Sequence, residues 1–184
     1  MAPIAPPIEG ELWLNTEPLT PDHLKGRVVV LVFWSAGCEA SLRRLQQVQA
    51  MVDDGTVDGA DGNDGSPDDV IAVAVHTPRM TCDDDVDRLR RIIACHRITI
   101  PVVHDPRYQT WTRYEPQGWP STAVIDRRGR ITGIAAGCHD INLVHQALAA
   151  ANERPAGRRR ADHDTIELPT GASADHTGGE QQVR

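Results

Sequence analysis

Two stretches of the chain are almost free of polar residues. Arg27–Trp34 (RVVVLVFW) and Val70–Val75 (VIAVAV) are short β-branched runs, the pattern of parallel strands covered on both faces. Between them, over Cys38–Val52, Leu42, Leu45, Val48 and Val52 fall on one helical stripe, with Arg43, Arg44, Gln46 and Gln47 elsewhere. The spacing predicts a strand–helix–strand unit with a right-handed crossover. A second helix is expected over Thr81–His96, with Val86, Leu89, Ile92 and Ile93 inward. Aspartates at 83, 84, 85 and 87 crowd its amino half and arginines at 88, 90, 91 and 97 its carboxyl half, which suits the helix dipole.

Shorter elements complete the pattern. Glu11–Leu14 reads as a strand, and Thr20-Pro21-Asp22 as a capped helix start that Gly26 ends. Pro101–His104 reads as a strand and Arg107–Tyr114 as a helix. Thr122–Ile125 and Arg130–Ala135 read as a hairpin around the polar turn Asp126-Arg127-Arg128-Gly129. His139–Ala151 is expected to close the domain as a helix with Ile141, Val144, Ala147 and Leu148 inward. The result is an α/β domain over residues 11–151. The Pro-rich residues 1–10 are expected to be loose, residues 53–69 to form an acidic disordered insertion, and residues 152–184 to form a disordered tail.

Composition narrows the function classes. The chain has 184 residues and is 40% apolar but only 4% aromatic, so its core rests on Val, Ile, Leu and Ala. The net charge of −7 comes from 26 acidic against 19 basic residues, and seven of the aspartates lie within residues 53–69. The fold itself is therefore neutral, and no nucleic-acid surface is expected. The amino terminus lacks the basic start and apolar stretch of a secretory signal, and no run is long enough to span a membrane. A cytoplasmic location without a membrane partner is the expectation, and there the four cysteines read as free, catalytic or redox-sensing. Residues 53–69 lack the twelve-residue pattern of a calcium loop, and Cys95-His96 and Cys138-His139 lack zinc spacing. No metal or other cofactor is expected.

Three segments resemble the thioredoxin-like superfamily. Phe33-Trp34-Ser35-Ala36-Gly37-Cys38-Glu39-Ala40-Ser41 is similar to its strand-to-helix junction, where an FW pair leads into C-x-x-C. Gly118-Trp119-Pro120-Ser121-Thr122 resembles its cis-proline loop, and Ala123–Ile131 (AVIDRRGRI) the hairpin of the TlpA and redoxin branch. Together with WLNT (13–16), His76-Thr77-Pro78 and Pro101-Val102-Val103-His104-Asp105, the combination resembles the thioredoxin-like domain found ahead of NHL-repeat propellers and its DipZ-type relatives, over about residues 11–150. The resemblance implies a thioredoxin-like fold, a central mixed sheet with helices on both faces. It also implies a thiol–disulfide oxidoreductase in cell redox homeostasis, acting on protein or low-molecular-weight thiols and disulfides. Two departures stand out: no propeller follows, and Ser41 occupies the second cysteine's place, giving C-x-x-S. Val32 stands where dithiol members carry a buried carboxylate.

The candidate chemistry centres on Cys38. A thiolate at a helix amino terminus is favoured by the dipole and by unpaired N–H groups, while the adjacent Glu39 opposes it. Ser41, one turn along, can donate a hydrogen bond to the thiolate but cannot form a disulfide. Pro120 is expected to follow a cis bond and to face Cys38, with Trp119 flanking a substrate groove that Trp34 and His76 also line. His76 ends a strand on that edge and is a candidate to stabilise or deprotonate a thiol, or else a plain loop histidine. Cys82 follows the neighbouring parallel strand, so both loops open on one edge of the sheet. It is a candidate displaced resolving thiol, hindered by the aspartates at 83–85, or else a helix-start thiol far from Cys38. Cys82 and Cys95 are roughly 20 Å apart if one helix carries both, too far to bridge. Two rival readings stand beside the oxidoreductase. One is a redox-inactive binding module, favoured by Ser41 and Val32. The other is a peroxiredoxin-like peroxidase, favoured by Ser35 three residues before Cys38 but not by Leu31, where a proline is expected.

Overall fold

A computed structural model describes residues 2–53 and 70–137, together with residues 142, 144–146 and 149, which are helical. The remainder of the acidic insertion, most of the closing helix, the carboxyl-terminal tail and Cys138 lie outside the described residues.

The β-branched runs form the middle of a six-stranded sheet. Its strands are β1 (Leu12–Leu14), β2 (Val28–Trp34), β3 (Val70–His76), β4 (Val102–His104), β5 (Ser121–Ile125) and β6 (Ile131–Ala136), in the order β1-β4-β3-β2-β5-β6. β2, β3 and β4 are parallel, and β1, β5 and β6 run antiparallel to their neighbours. All seven residues of β2 are buried. Alternation divides them: Val28, Val30, Val32 and Trp34 enter one core, and Val29, Leu31 and Phe33 the other. The register pairs Trp34 with His76 and His76 with His104, so the strand ends align along one edge.

Helices cover both faces. On the first lie α2 (Glu39–Asp53), through Leu45, Val48 and Met51, and α3 (Val86–Cys95), through Leu89 and Ile93. The second is covered by α1 (Pro21–Leu24) and α4 (Gln109–Tyr114), through Leu24, Trp111 and Tyr114. Each fully buried aliphatic side chain contributes roughly 1.5–3 kcal/mol.

The structure corrects three expectations. The helix over Thr81–His96 breaks into a 3-10 turn, Thr81–Asp84, and α3. The break is Asp85, whose extended backbone lets its carboxylate accept from the N–H groups of Asp87 (2.9 Å) and Arg88 (3.0 Å). A side-chain cap at this point starts a new helix instead of continuing an old one. Arg44 is fully buried rather than on a polar face, donating to Thr122 Oγ1 (3.2 Å) and the Gly137 carbonyl (3.0 Å). Residues 2–10 are tied down. Ala5 N donates to Gly129 O (2.8 Å), Tyr114 Oη to Pro6 O (2.7 Å) and Glu9 N to Thr110 Oγ1 (2.7 Å). The N–H groups of Ala5 and Glu9 and the carbonyl of Pro6 hold the segment between prolines that have no donor of their own, a pattern that composition alone does not distinguish from a loose end.

Candidate functional site

Where β2 ends, the chain turns sharply into α2. Cys38 N donates to Ser35 O (3.0 Å) and Leu42 N to Cys38 O (3.1 Å), so Cys38 precedes the first turn of the helix, among its unpaired N–H groups. The thiol is partly exposed. Desolvation alone would push its pKa up. The Ser41 hydroxyl, the Ser41 amide, the Arg79 charge and the Ala40 amide outweigh that effect and hold the thiol below its ordinary value. Glu39, beside Cys38, is paired with Arg43 on the exposed side of the helix.

Ser41 is buried, and its hydroxyl lowers the thiol's pKa, yet it closes no aligned hydrogen bond in this geometry. A neutral thiol is a weak acceptor. The hydroxyl has no competing partner, so it can turn to a thiolate as soon as one forms.

Arg79, in the loop after β3, escaped the sequence reading. Its guanidinium lies 5.4 Å above the Trp119 ring, within cation–π reach, while its charge acts on Cys38. Trp119 in turn stacks on Trp111 with centroids 4.2 Å apart. The Trp119–Pro120 bond is cis. A thiol, a cation and a half-buried indole therefore converge from three separate loops. The sequence signal was an arginine next to His76-Thr77-Pro78 on the edge already assigned to the site.

Two of the proposed groove residues do not reach solvent. Trp34 and His76 are fully buried, on the face covered by α2 and α3, with ring centroids 4.9 Å apart. A β-branched run does not reveal which of its ends the following loops will cover. Burial, the neighbouring His104 and Arg88 push the His76 pKa down to about 3, against a smaller opposing effect of Asp83. His76 Nδ1 lies 3.0 Å from His104 Nδ1, and His104 Nε2 lies 3.2 Å from Asp84 Oδ1. A carboxylate only accepts, so His104 Nε2 donates to Asp84. For a neutral His104 the shared proton then sits on His76, leaving His76 Nε2 a buried acceptor without a partner. His76 is a structural imidazole here, not an exposed base.

Asp83 links this layer to the Cys38 loop. It is buried and accepts from Ser35 Oγ (3.1 Å) and Arg88 Nη1 (2.6 Å). Desolvation raises its pKa, but Arg88, Ser35 and the Arg79 amide together hold it below the usual carboxylate value. The one donor of the Ser35 hydroxyl is thus engaged by Asp83. Cys82 and Cys95 are exposed and free. Val32 is fully buried among aliphatic neighbours. Among the described residues, no group of three or more His, Cys, Asp or Glu is arranged to hold a metal ion, and no helix is long and apolar enough to cross a membrane.

No family model matches the chain. It is 30% identical to the thiol-disulfide oxidoreductase YkuV of Bacillus subtilis over 145 residues, covering 78% of this chain and 90% of that protein. It is also 30% identical over 156 residues to the DipZ protein of Mycobacterium bovis, and there it spans 78% of its own length but only 20% of the relative's. Among solved structures, a thioredoxin-like protein in its oxidised form superposes with a TM-score of 0.68 and 26% identity, over 83% of this chain and 98% of that one.

Proposed function

Because the chain belongs to the thioredoxin-like superfamily, alongside proteins named as thiol-disulfide oxidoreductases, we propose that it exchanges disulfides through the single thiol of Cys38. The observation that carries this reading is the convergence on Cys38 of the α2 amino terminus, the Ser41 hydroxyl and the Arg79 charge. Together they favour the thiolate, the form that attacks a disulfide. Attack on a substrate R–S–S–R joins Cys38 to one R–S group and releases the other as a thiolate. Trp119 and Arg79 flank the approach, and the substrates are protein or small-molecule disulfides.

The reading predicts that the intact chain reduces a small model disulfide in the presence of a monothiol donor, and that Cys38→Ser abolishes the activity. Equal turnover by the Cys38→Ser variant would overturn it. The aliphatic surroundings of Val32 and the serine at position 41 favour a second reading, a domain that binds a partner without turnover. A partner held equally by intact and Cys38→Ser protein, with no exchange by either, would support that instead.

A further inference from the structure

We propose that Cys82 is the resolving thiol for adducts on Cys38, forming a disulfide between the loops that follow β2 and β3. This rests on Cys38 being the exchanging thiol. Ser41 cannot form a disulfide, so α2 offers Cys38 no second thiol one turn away.

Topology puts the two loops side by side. β2 and β3 are parallel and in register to their last residues, Trp34 and His76, and Thr77 N donates to Trp34 O (3.0 Å) as the chains leave the sheet. Asp83, the residue after Cys82, is drawn into the Cys38 loop by its bond to Ser35 Oγ (3.1 Å). Its carboxylate lies against Gly37, the residue before Cys38: a β-carbon there would be 3.0 Å from both oxygens. Cys82 Sγ is 4.0 Å from Oδ1 of that same carboxylate. The thiol is thus two contacts from the residue preceding Cys38. Arg79, three residues before Cys82 in the same loop, acts electrostatically on the Cys38 sulfur.

The three acidic neighbours each have a partner of their own. Asp83 is paired with Arg88, Asp84 faces His104, and Asp85 caps α3. Arg88 also donates to the Cys82 carbonyl (3.1 Å), which holds a cation beside the thiol's own residue. Cys82 is exposed, on a one-turn element bounded by the extended residues Met80 and Asp85. The disulfide requires Cys82 to come within a Cα separation of about 4.4–6.8 Å of Cys38, a movement of this turn and of neither strand.

The step balances without an external oxidant. Starting from Cys38–S–S–R, the Cys82 thiol gives its proton to solvent and its sulfur attacks the Cys38 sulfur. The Cys38–S–S–Cys82 bond forms, the bond to R breaks, and R–S leaves as a thiolate. One external dithiol, or two monothiols, then returns both cysteines to the reduced state.

The test uses the full chain carrying Cys95→Ser and Cys138→Ser, treated with one equivalent of 5,5′-dithiobis(2-nitrobenzoate). Two equivalents of the coloured thiolate are expected, with a loss of two hydrogens in protein mass and a Cys38–Cys82 linked peptide. Adding Cys82→Ser should stop the reaction at one equivalent, with the adduct retained on Cys38. If the chain that keeps Cys82 also stops at one equivalent, or joins two copies instead, the inference is overturned while single-thiol exchange stands. If Cys38 releases no thiolate in either chain, both this inference and the proposed function fail.

Discussion

A thiol half withdrawn from water is harder to ionise than one in solution, and at Cys38 the neighbours reverse that tendency. Two of them, the Ser41 hydroxyl and the first-turn amides, come from the same helix and can be read from C-x-x-S after a buried strand. Arg79 cannot, since it lies 41 residues away and reaches the sulfur only because β2 and β3 are parallel neighbours. Removing it by Arg79→Ala takes away a cation, so the thiol pKa rises and the thiolate fraction near neutral pH falls. A few-fold slower reaction of Cys38 with iodoacetamide at pH 7 is expected, with recovery as the pH is raised. An Arg79→Lys chain should keep most of the rate, and unchanged alkylation of Arg79→Ala would remove Arg79 from the site. The residues misassigned from sequence, Trp34 and His76, show the reverse limit. Their type suits a groove, but their register across three strand ends buries them.

Elements with long apolar runs were legible because one pattern decides them. RVVVLVFW is short and β-branched, which suits a covered strand, and the stripe on α2 matches the observed core at Leu45 and Val48. The 81–96 segment was not, because a single aspartate can cap a helix as readily as decorate one. Asp85 takes the first role, and that choice creates the separate turn carrying Cys82 and Asp83. Packing of α2 fixes where its amino terminus, and hence Cys38, meets the sheet. Leu45 is fully buried there, and Leu45→Ala should cost about 2–5 kcal/mol, measured as a lower urea midpoint. The exposed Gln46→Ala control should stay within about 0.5 kcal/mol of the intact chain. A loss at Leu45 no larger than the control's would contradict the assigned core.

At the scale of the whole domain, the buried groups along the strand-end edge set the response to acid. His76 has a pKa of about 3 in the folded chain against 6.5 for a free histidine. Between those values the unfolded chain binds a proton that the folded chain refuses, so stability falls as pH drops from about 6.5 toward 3. The slope from this group approaches about 1.4 kcal/mol per pH unit. Asp83 adds to the loss at lower pH, because its depressed pKa favours the folded chain only where an ordinary carboxylate is ionised. Urea titrations from pH 7 to 4 should show this decline, and His76→Gln should flatten it. Equal slopes for the two chains would mean that His76 is not held neutral. The same edge ties stability to function, since Asp83 and Ser35 brace the loop that presents Cys38.

Disulfide exchange at Cys38 requires a reactive thiolate there, and the rate of Cys38 alkylation as a function of pH measures that directly, with peptide mapping to isolate Cys38 from the other three cysteines. A midpoint clearly below about 8.5, the value of a free thiol, is expected, with Cys38 the fastest-reacting cysteine near neutral pH. A midpoint at or above that value, or a Cys38 slower than the exposed Cys82 and Cys95 throughout, would contradict it.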